Sequence, residues 1–567
     1  MGDCVLLNVL LKVLPQNLGS SEQNGMYRKN VNLKYIDELF KNVHSKVDVV
    51  KVKDLEKKAE AEIRGEVQCL VFKSLKVILL NTNEEERLLH YHDLVKLFYN
   101  SLIQKLLELH KLESLITFQE YEHLVRKLIP LVKLEILLEQ YPATNTTLFK
   151  ELVEYLDTPN IFREDIYQVL QKKLGHSNFK LIRFHLEAVS TKGILSDCSR
   201  LNVLVIEEQE KKIYKFFIKF LPTQETTVQK ILTPLAFKKE VLFYGKFVPL
   251  LKELGVTELE FIPECYLVRD DLIVLSDIIE LGYTHSGQDF LDYDHLSLII
   301  KYFARIHSFS IIFEENLSKK LGESVLLDTY FPDLIEESQI LPNFLIGCQF
   351  EHMLLFLEKF PSVAKDFPLE DFVVRARKKY NDIYSVVKKS QKHKNVLNHG
   401  DVWQPNFFYK FDSKHEPCSA KIFDFQLLRY ASPALDILML LHVNATKETR
   451  DNYMFQLLLD YHNELKSTLI RFNIDLEKIF SFIELQAYVQ DLRVFGNFIG
   501  TLYGYFLALP KQKFGSVFAN PETNDKFWSD PKFRTDLCYS FWDDIAEVWK
   551  KEWLNNIEEL YELCKNE

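Results

Sequence analysis

VLNHGDVWQPNFFYKF, residues 396–411, and KIFDFQ, residues 421–426, decide how this sequence is read. Short apolar runs flank a loop that collects His399, Asp401 and Asn406. Asp424 follows, in a second apolar frame, after a charged hairpin-like insert. Buried edges ordinarily carry Val, Ile and Phe, and an ionised group buried without a partner is strongly unfavourable. Two carboxylates and a carboxamide beside buried strands therefore point to chemistry. The bland alternative is three unrelated loop polars that cap turns.

Spacing favours the chemical reading. Asp401 and Asn406 are five residues apart, the separation at which protein kinases place a catalytic aspartate and a metal-binding asparagine. One carboxylate would accept a hydroxyl proton while the amide oxygen holds Mg²⁺ against a triphosphate. Asp424 matches a second metal-binding carboxylate. A hard cation of this kind takes few protein oxygens and keeps phosphates and water as its other ligands.

Such chemistry needs a cation on the nucleotide phosphates. Lys219, inside FFIKFL, is a charge on an otherwise apolar strand, and Glu240 on the following helical stretch LAFKKEVLFYGKF is placed to pair with it. A snorkelling edge-strand lysine and a solvated helix-face glutamate are the plainer readings of the two residues.

The 567 residues allow two to four domains. A formal net charge of −11 without a long basic run argues against nucleic acid as a partner. Eight scattered cysteines with no CxxC pair read as reduced thiols in a cytoplasmic protein and not as a zinc site. No uninterrupted apolar run approaches the ~20 residues of a membrane span. The opening MGDCVLLNVLLKVLPQ lacks a basic n-region and is broken by Asn8 and Lys12, so it does not read as a signal peptide. Leu6 breaks the N-myristoylation pattern.

Residues 31–140 read as helical, and YPATNTT at 141–147 reads as a boundary. NVLVIEE and KIYKFFIKFLP, separated by a charged turn, read as a hairpin, and IPECYLVRDDLIVLSDII as two more strands. Helix dominates from 290 to the end except around 396–426. Residues 81–106 align with 444–469, and residues 117–128 with 481–492, which suggests a duplication. LLKVLP pairs Lys12 with Lys219 in FIKFLP, but the first copy is too short to hold any counterpart of HGD or DFQ. The expected division is a truncated, mostly helical repeat over 1–145, a nucleotide-binding lobe over 146–280 and a helical catalytic lobe over 281–567.

HGDVWQPNFFYKF, KIFDFQLLRYASPALDILML, FIKFLP, KKEVLFY and FARIHS together resemble the ecdysteroid kinase-like family, related to the choline kinases and aminoglycoside phosphotransferases, over about residues 150–567. The resemblance implies an α+β, two-lobed protein-kinase-like fold and ATP- and Mg²⁺-dependent phosphorylation of a small-molecule hydroxyl, on an ecdysteroid or a hydroxylated xenobiotic. Carried over by motif, Asp401 would be the base, Asn406 and Asp424 the Mg²⁺ ligands, and Lys219, Glu240 and Gly193 the nucleotide-binding residues. Asp436 would be a structural aspartate and His307 a core hydrogen-bonding histidine. Two departures stand out. The loop STKGILSDCSR (190–200) keeps Gly193 but has Ile194 and Leu195 at the family's polar positions, and the inter-lobe linker has Ser276 where glutamate is common. They leave open a nucleotide-binding pseudokinase, and a choline- or aminoglycoside-type kinase is the other alternative.

Overall fold

Glu208 and Gln209, both at positive φ (51° and 68°), make the two-residue turn of a hairpin between β2 (Asp197–Glu207) and β3 (Glu210–Phe220). Two left-handed residues in succession match the twist of the flanking strands. The structure is a computed structural model, described here for residues 161–189, 197–221, 227–335, 357–359, 368–508 and 520–565, with scattered helical positions between 71 and 136. With β1 (Lys180–Ala188), β4 (Cys265–Val268) and β5 (Leu272–Ser276), the hairpin forms a five-stranded sheet of order β1-β2-β3-β5-β4. Gly193, the boundary at 141–147 and most of the proposed duplication, including Lys12, lie outside the described residues.

The chain forms two compact units, residues 1–186 with 203–214 and residues 187–202 with 215–567. In the first, Val71, Leu75 and Leu79 recur at helical spacing and are buried with Val125, Ile129, Val132 and Ile136. Helix α1 (Arg163–Leu174) ends at Gly175 in the left-handed conformation, and Arg126 pairs with Asp165 at 2.8 Å.

The second unit holds every described candidate site residue. α2 (Thr227–Leu242) runs on through a π-helical turn, Phe243–Phe247, which buries Phe243, Tyr244 and Phe247. Phe243 then stacks on Phe425, centroids 4.1 Å apart, so α2 is fixed against the segment that carries Asp424. Strand β3 pairs antiparallel with β5, Lys219 opposite Ile273.

Helix α3 (Tyr293–Leu321) is capped by Asp292, whose side chain accepts the His295 N–H. It is long and apolar enough to cross a membrane, yet 83% of its most apolar window is buried within the protein. That makes it a core helix, packed against the helix Lys447–Ile470 and β6 (Val396–Asn398). Helix α4 (Ala434–Asn444) is buried along its length, with the His442 side chain only 9% exposed, as expected of a helix apolar nearly all round. Three further helices enclose it: α5 (Lys447–Ile470), α6 (Arg493–Ala508) and, beyond α6, α7 (Glu547–Lys565). Close approach of α6 needs glycine. A Cβ at Gly496 would stand 2.6 Å from the His442 ring, and one at Gly500 2.9 Å from the His442 carbonyl oxygen.

Candidate active site

Two small antiparallel pairs frame the decisive stretch. β6 pairs with β9 (Arg429–Ala431), and β7 (Phe407–Phe411) with β8 (Pro417–Ile422). Between β6 and β7 the chain passes through Gly400 at φ 79°, where a Cβ would lie 2.1 Å from the Leu427 carbonyl oxygen. Only glycine allows the loop to come so close to the segment after Asp424.

Asp436, in the first turn of α4, gathers this loop. Its carboxylate accepts the backbone N–H groups of His399 (2.7 Å) and Gly400 (3.0 Å) and lies 3.1 Å from His307 Nε2. His307 is fully buried, and its Nδ1 is 2.7 Å from the Tyr461 hydroxyl. Burial pushes the Asp436 carboxyl up, but His307, helped by the Gly400 N–H, outweighs it and holds the group below the usual carboxylate range. His399 accepts the Asp401 N–H at Nδ1 (3.2 Å), which leaves Nε2 to donate to the Phe423 carbonyl (2.8 Å). It therefore ties the Asp401 loop to the strand end that bears Asp424.

The Asp401 carboxylate is buried and takes three donors among the described residues. Asn406 Nδ2 (2.9 Å) and Trp403 Nε1 (3.2 Å) bond Oδ2, and the Tyr503 hydroxyl bonds Oδ1 at 2.7 Å. Burial and then neighbouring Asp424 push its carboxyl up, against the opposing hydrogen bonds of Tyr503 and Asn406. Asn406 also donates Nδ2 to the Asp401 carbonyl (2.9 Å). Both of its partners can only accept, so the amide nitrogen must face them, and the amide oxygen is left for a cation.

Asp424 has φ 69°, a left-handed conformation that aspartate adopts more readily than most residues. The Phe423 N–H donates to the Asn406 carbonyl (3.0 Å), which holds Asp424 beside Asn406. Lys219 Nζ lies 2.8 Å from Asp424 Oδ1 and 2.5 Å from Glu240 Oε2. Burial works against the ammonium, but Asp424 and Glu240 together hold Lys219 above the usual lysine range. The structure thus brings together Lys219, Glu240, Asp401, Asn406 and Asp424, drawn from one strand, one helix and two loops.

The carboxylate of Asp424 and the amide oxygen of Asn406 suit a hard cation such as Mg²⁺, which is commonly held by one or two protein oxygens with phosphates and water completing its shell. Among the described residues no cluster of three or more His, Cys, Asp or Glu side chains could hold a metal unaided.

The family model for ecdysteroid kinase-like proteins matches residues 191–474. The chain belongs to that family. Membership carries a kinase-like two-lobed α+β fold and points to phosphotransfer chemistry. All six residues expected from the sequence fall within the matched span. Comparison with curated proteins gives no match.

Three features escape a reading of the sequence motifs. Tyr503 reaches Asp401 from α6, outside the matched span. Trp403 lies inside HGDVWQPN, whose spacing gives no sign of its bond to Asp401. Arg200 Nε also meets Asp277 Oδ2 at 2.5 Å, an ion pair one residue beyond Ser276. Ser276 itself bonds Glu264 in both directions: its N–H donates to the Glu264 carbonyl (2.8 Å) and its Oγ accepts the Glu264 N–H (3.1 Å). The spacing G496-xxx-G500 on α6 was the available signal for Tyr503, since glycines four apart mark a helix face in close contact.

Proposed function

We propose that this ecdysteroid kinase-like protein is an ATP- and Mg²⁺-dependent phosphotransferase that phosphorylates a hydroxyl of a small molecule, an ecdysteroid or a hydroxylated xenobiotic. One observation carries the reading: Lys219 sits between Glu240 and Asp424, while Asp401 and Asn406 are bonded to each other one strand away. The first group supplies a buried cation for phosphates and the second a base beside a metal donor. Neither has an evident use in a purely structural role.

Each residue then has a stated task. Lys219, kept charged and oriented by Glu240, meets the phosphates. Asn406 and Asp424 would hold Mg²⁺, which when bound neutralises the charge of the transferring phosphoryl group. Asp401 takes the proton of the acceptor hydroxyl, and His399 and Asp436 fix its loop. Catalysis of this type is mainly positioning and charge stabilisation, so the rigidity of these supports matters as much as the reacting groups.

Nucleotide titration with and without Mg²⁺, followed by a panel of an ecdysteroid, choline and a plant glycoside as acceptors, tests the reading. Mg²⁺-dependent ATP binding with phosphate transferred to the ecdysteroid or the glycoside is the expected result. ATP binding without transfer to any acceptor would identify a nucleotide-binding scaffold. Transfer to choline alone would move the chain to the choline-kinase class.

A further inference from the structure

Three donors hold the Asp401 carboxylate, and they are unevenly shared. Each carboxylate oxygen offers about two acceptor sites. Trp403 and Asn406 fill those of Oδ2, whereas among the described residues Oδ1 accepts only the Tyr503 hydroxyl, at 2.7 Å. A proton leaving an acceptor hydroxyl therefore goes to Oδ1, beside the phenol.

The geometry points to Tyr503 as a positioning residue for the base: its hydroxyl fixes the rotation of the Asp401 carboxylate and occupies an acceptor site on Oδ1 that water would otherwise take, leaving the other for the acceptor hydroxyl. The inference rests on the phosphotransfer reading above. Tyr503 is half-buried, and its ring meets Trp403 edge to face, centroids 5.2 Å apart at 79°. The two rings thus brace the carboxylate from both oxygens. Burial, reinforced by Asp401, holds the phenol well above its ordinary value, so it stays a donor. The helix that carries it is brought in by the glycine contacts with α4, in residues after the span matched by the family model.

The step it supports balances simply. The acceptor O–H bond breaks and its proton passes to Asp401 Oδ1. The acceptor oxygen bonds the transferred phosphorus as the bond to the nucleotide's leaving oxygen breaks, the electron pair staying with the nucleotide. If water reaches Oδ1 instead, the same step yields inorganic phosphate. Loss of the phenol hydroxyl should therefore slow transfer and also uncouple it.

The test compares Tyr503→Phe with the wild-type chain, using whichever acceptor of the panel the wild type phosphorylates fastest. Phosphorylated acceptor and total ADP are measured in parallel. Removing one hydrogen bond to a charged group should lower kcat for transfer roughly 10- to 100-fold. The KM for Mg–ATP should stay the same, and the share of ADP formed without phosphorylated acceptor should rise. A role confined to stability would leave that share untouched. Wild-type kcat and wild-type coupling in a folded Tyr503→Phe protein would overturn the inference and leave the phosphotransfer reading standing. A wild-type chain that phosphorylates no acceptor would defeat that reading, and the role of Tyr503 with it.

Discussion

Truncating Lys219 should be far more damaging to the fold than neutralising Glu240, although the two form one ion pair. Glu240 is fully buried and Lys219 is its cation at 2.5 Å, the two side chains being 0% and 4% exposed. Lys219→Met strands a buried carboxylate, and breaking a buried pair from one side typically costs about 3–5 kcal/mol. Glu240→Gln is milder, because Lys219 keeps Asp424 at 2.8 Å. The loss there should be nearer the ~1.5–3 kcal/mol of one charged hydrogen bond. In the double variant the stranded charge is gone. Its cost should fall short of the sum of the singles by about 2–3 kcal/mol, the upper end of measured couplings between contacting residues.

Urea unfolding followed by tryptophan fluorescence measures this cleanly. All five tryptophans, Trp403, Trp528, Trp542, Trp549 and Trp553, lie in the unit spanning 215–567, so the signal reports the unit that contains the pair. An unchanged m-value would confirm that stability and not denatured-state compactness has altered. Additivity within ~0.5 kcal/mol, the scatter expected of independent sites, would refute the reasoning. So would equal losses in the two single variants, since the asymmetry follows directly from the second carboxylate.

Asp401→Asn should lower turnover by about 10²–10⁴-fold, the usual contribution of a general base, with Mg–ATP affinity by calorimetry unchanged; Asp424→Ala should instead weaken Mg²⁺-dependent nucleotide binding itself. Gly400→Ala places a Cβ 2.1 Å from the Leu427 carbonyl oxygen at φ 79°, and the tryptophan-detected unfolding free energy should fall by more than the ~1–2 kcal/mol of a left-handed non-glycine residue alone. His442 is held well below the usual histidine range by burial and then by Arg450, so the unfolded chain binds the extra proton below its own pKa of about 6.5. Stability is then complete above that pH and falls as the pH drops, by up to ~1.4 kcal/mol per unit for this one proton; the wild-type slope should exceed that of His442→Gln between pH 6.5 and 5, and equal slopes would count against it.

How much of this could be read beforehand depended on how far apart in sequence the partners lie. Asp401, Asn406 and Asp424 occupy two neighbouring apolar frames, so local pattern and spacing were enough to mark them. Lys219 declared itself as a charge inside FFIKFL, since an ammonium on a strand between apolar neighbours needs a partner. Glu240 was then the acid on the next helix, and the structure closes that pair at 2.5 Å. Local composition also located the hairpin and the strands β4 and β5. It could not show the π-helical turn at Phe243–Phe247, because hydrophobic periodicity does not resolve a single added residue in a helix.

Tyr503 illustrates the opposite limit. It stands 102 positions from Asp401, on a helix whose sequence, RVFGNFIGTLYGYFLA, reads as an ordinary apolar element. What places its hydroxyl on the carboxylate is the close seat of that helix against α4, set by Gly496 and Gly500 at the His442 turn. The same α4 carries Asp436, which holds the His399–Gly400 backbone. One buried helix therefore sets both the height of the Asp401 loop and the distance of the residue that braces its base. Packing changes in α4 should reach the carboxylate from both sides at once, and no motif within the loop could have indicated that dependence.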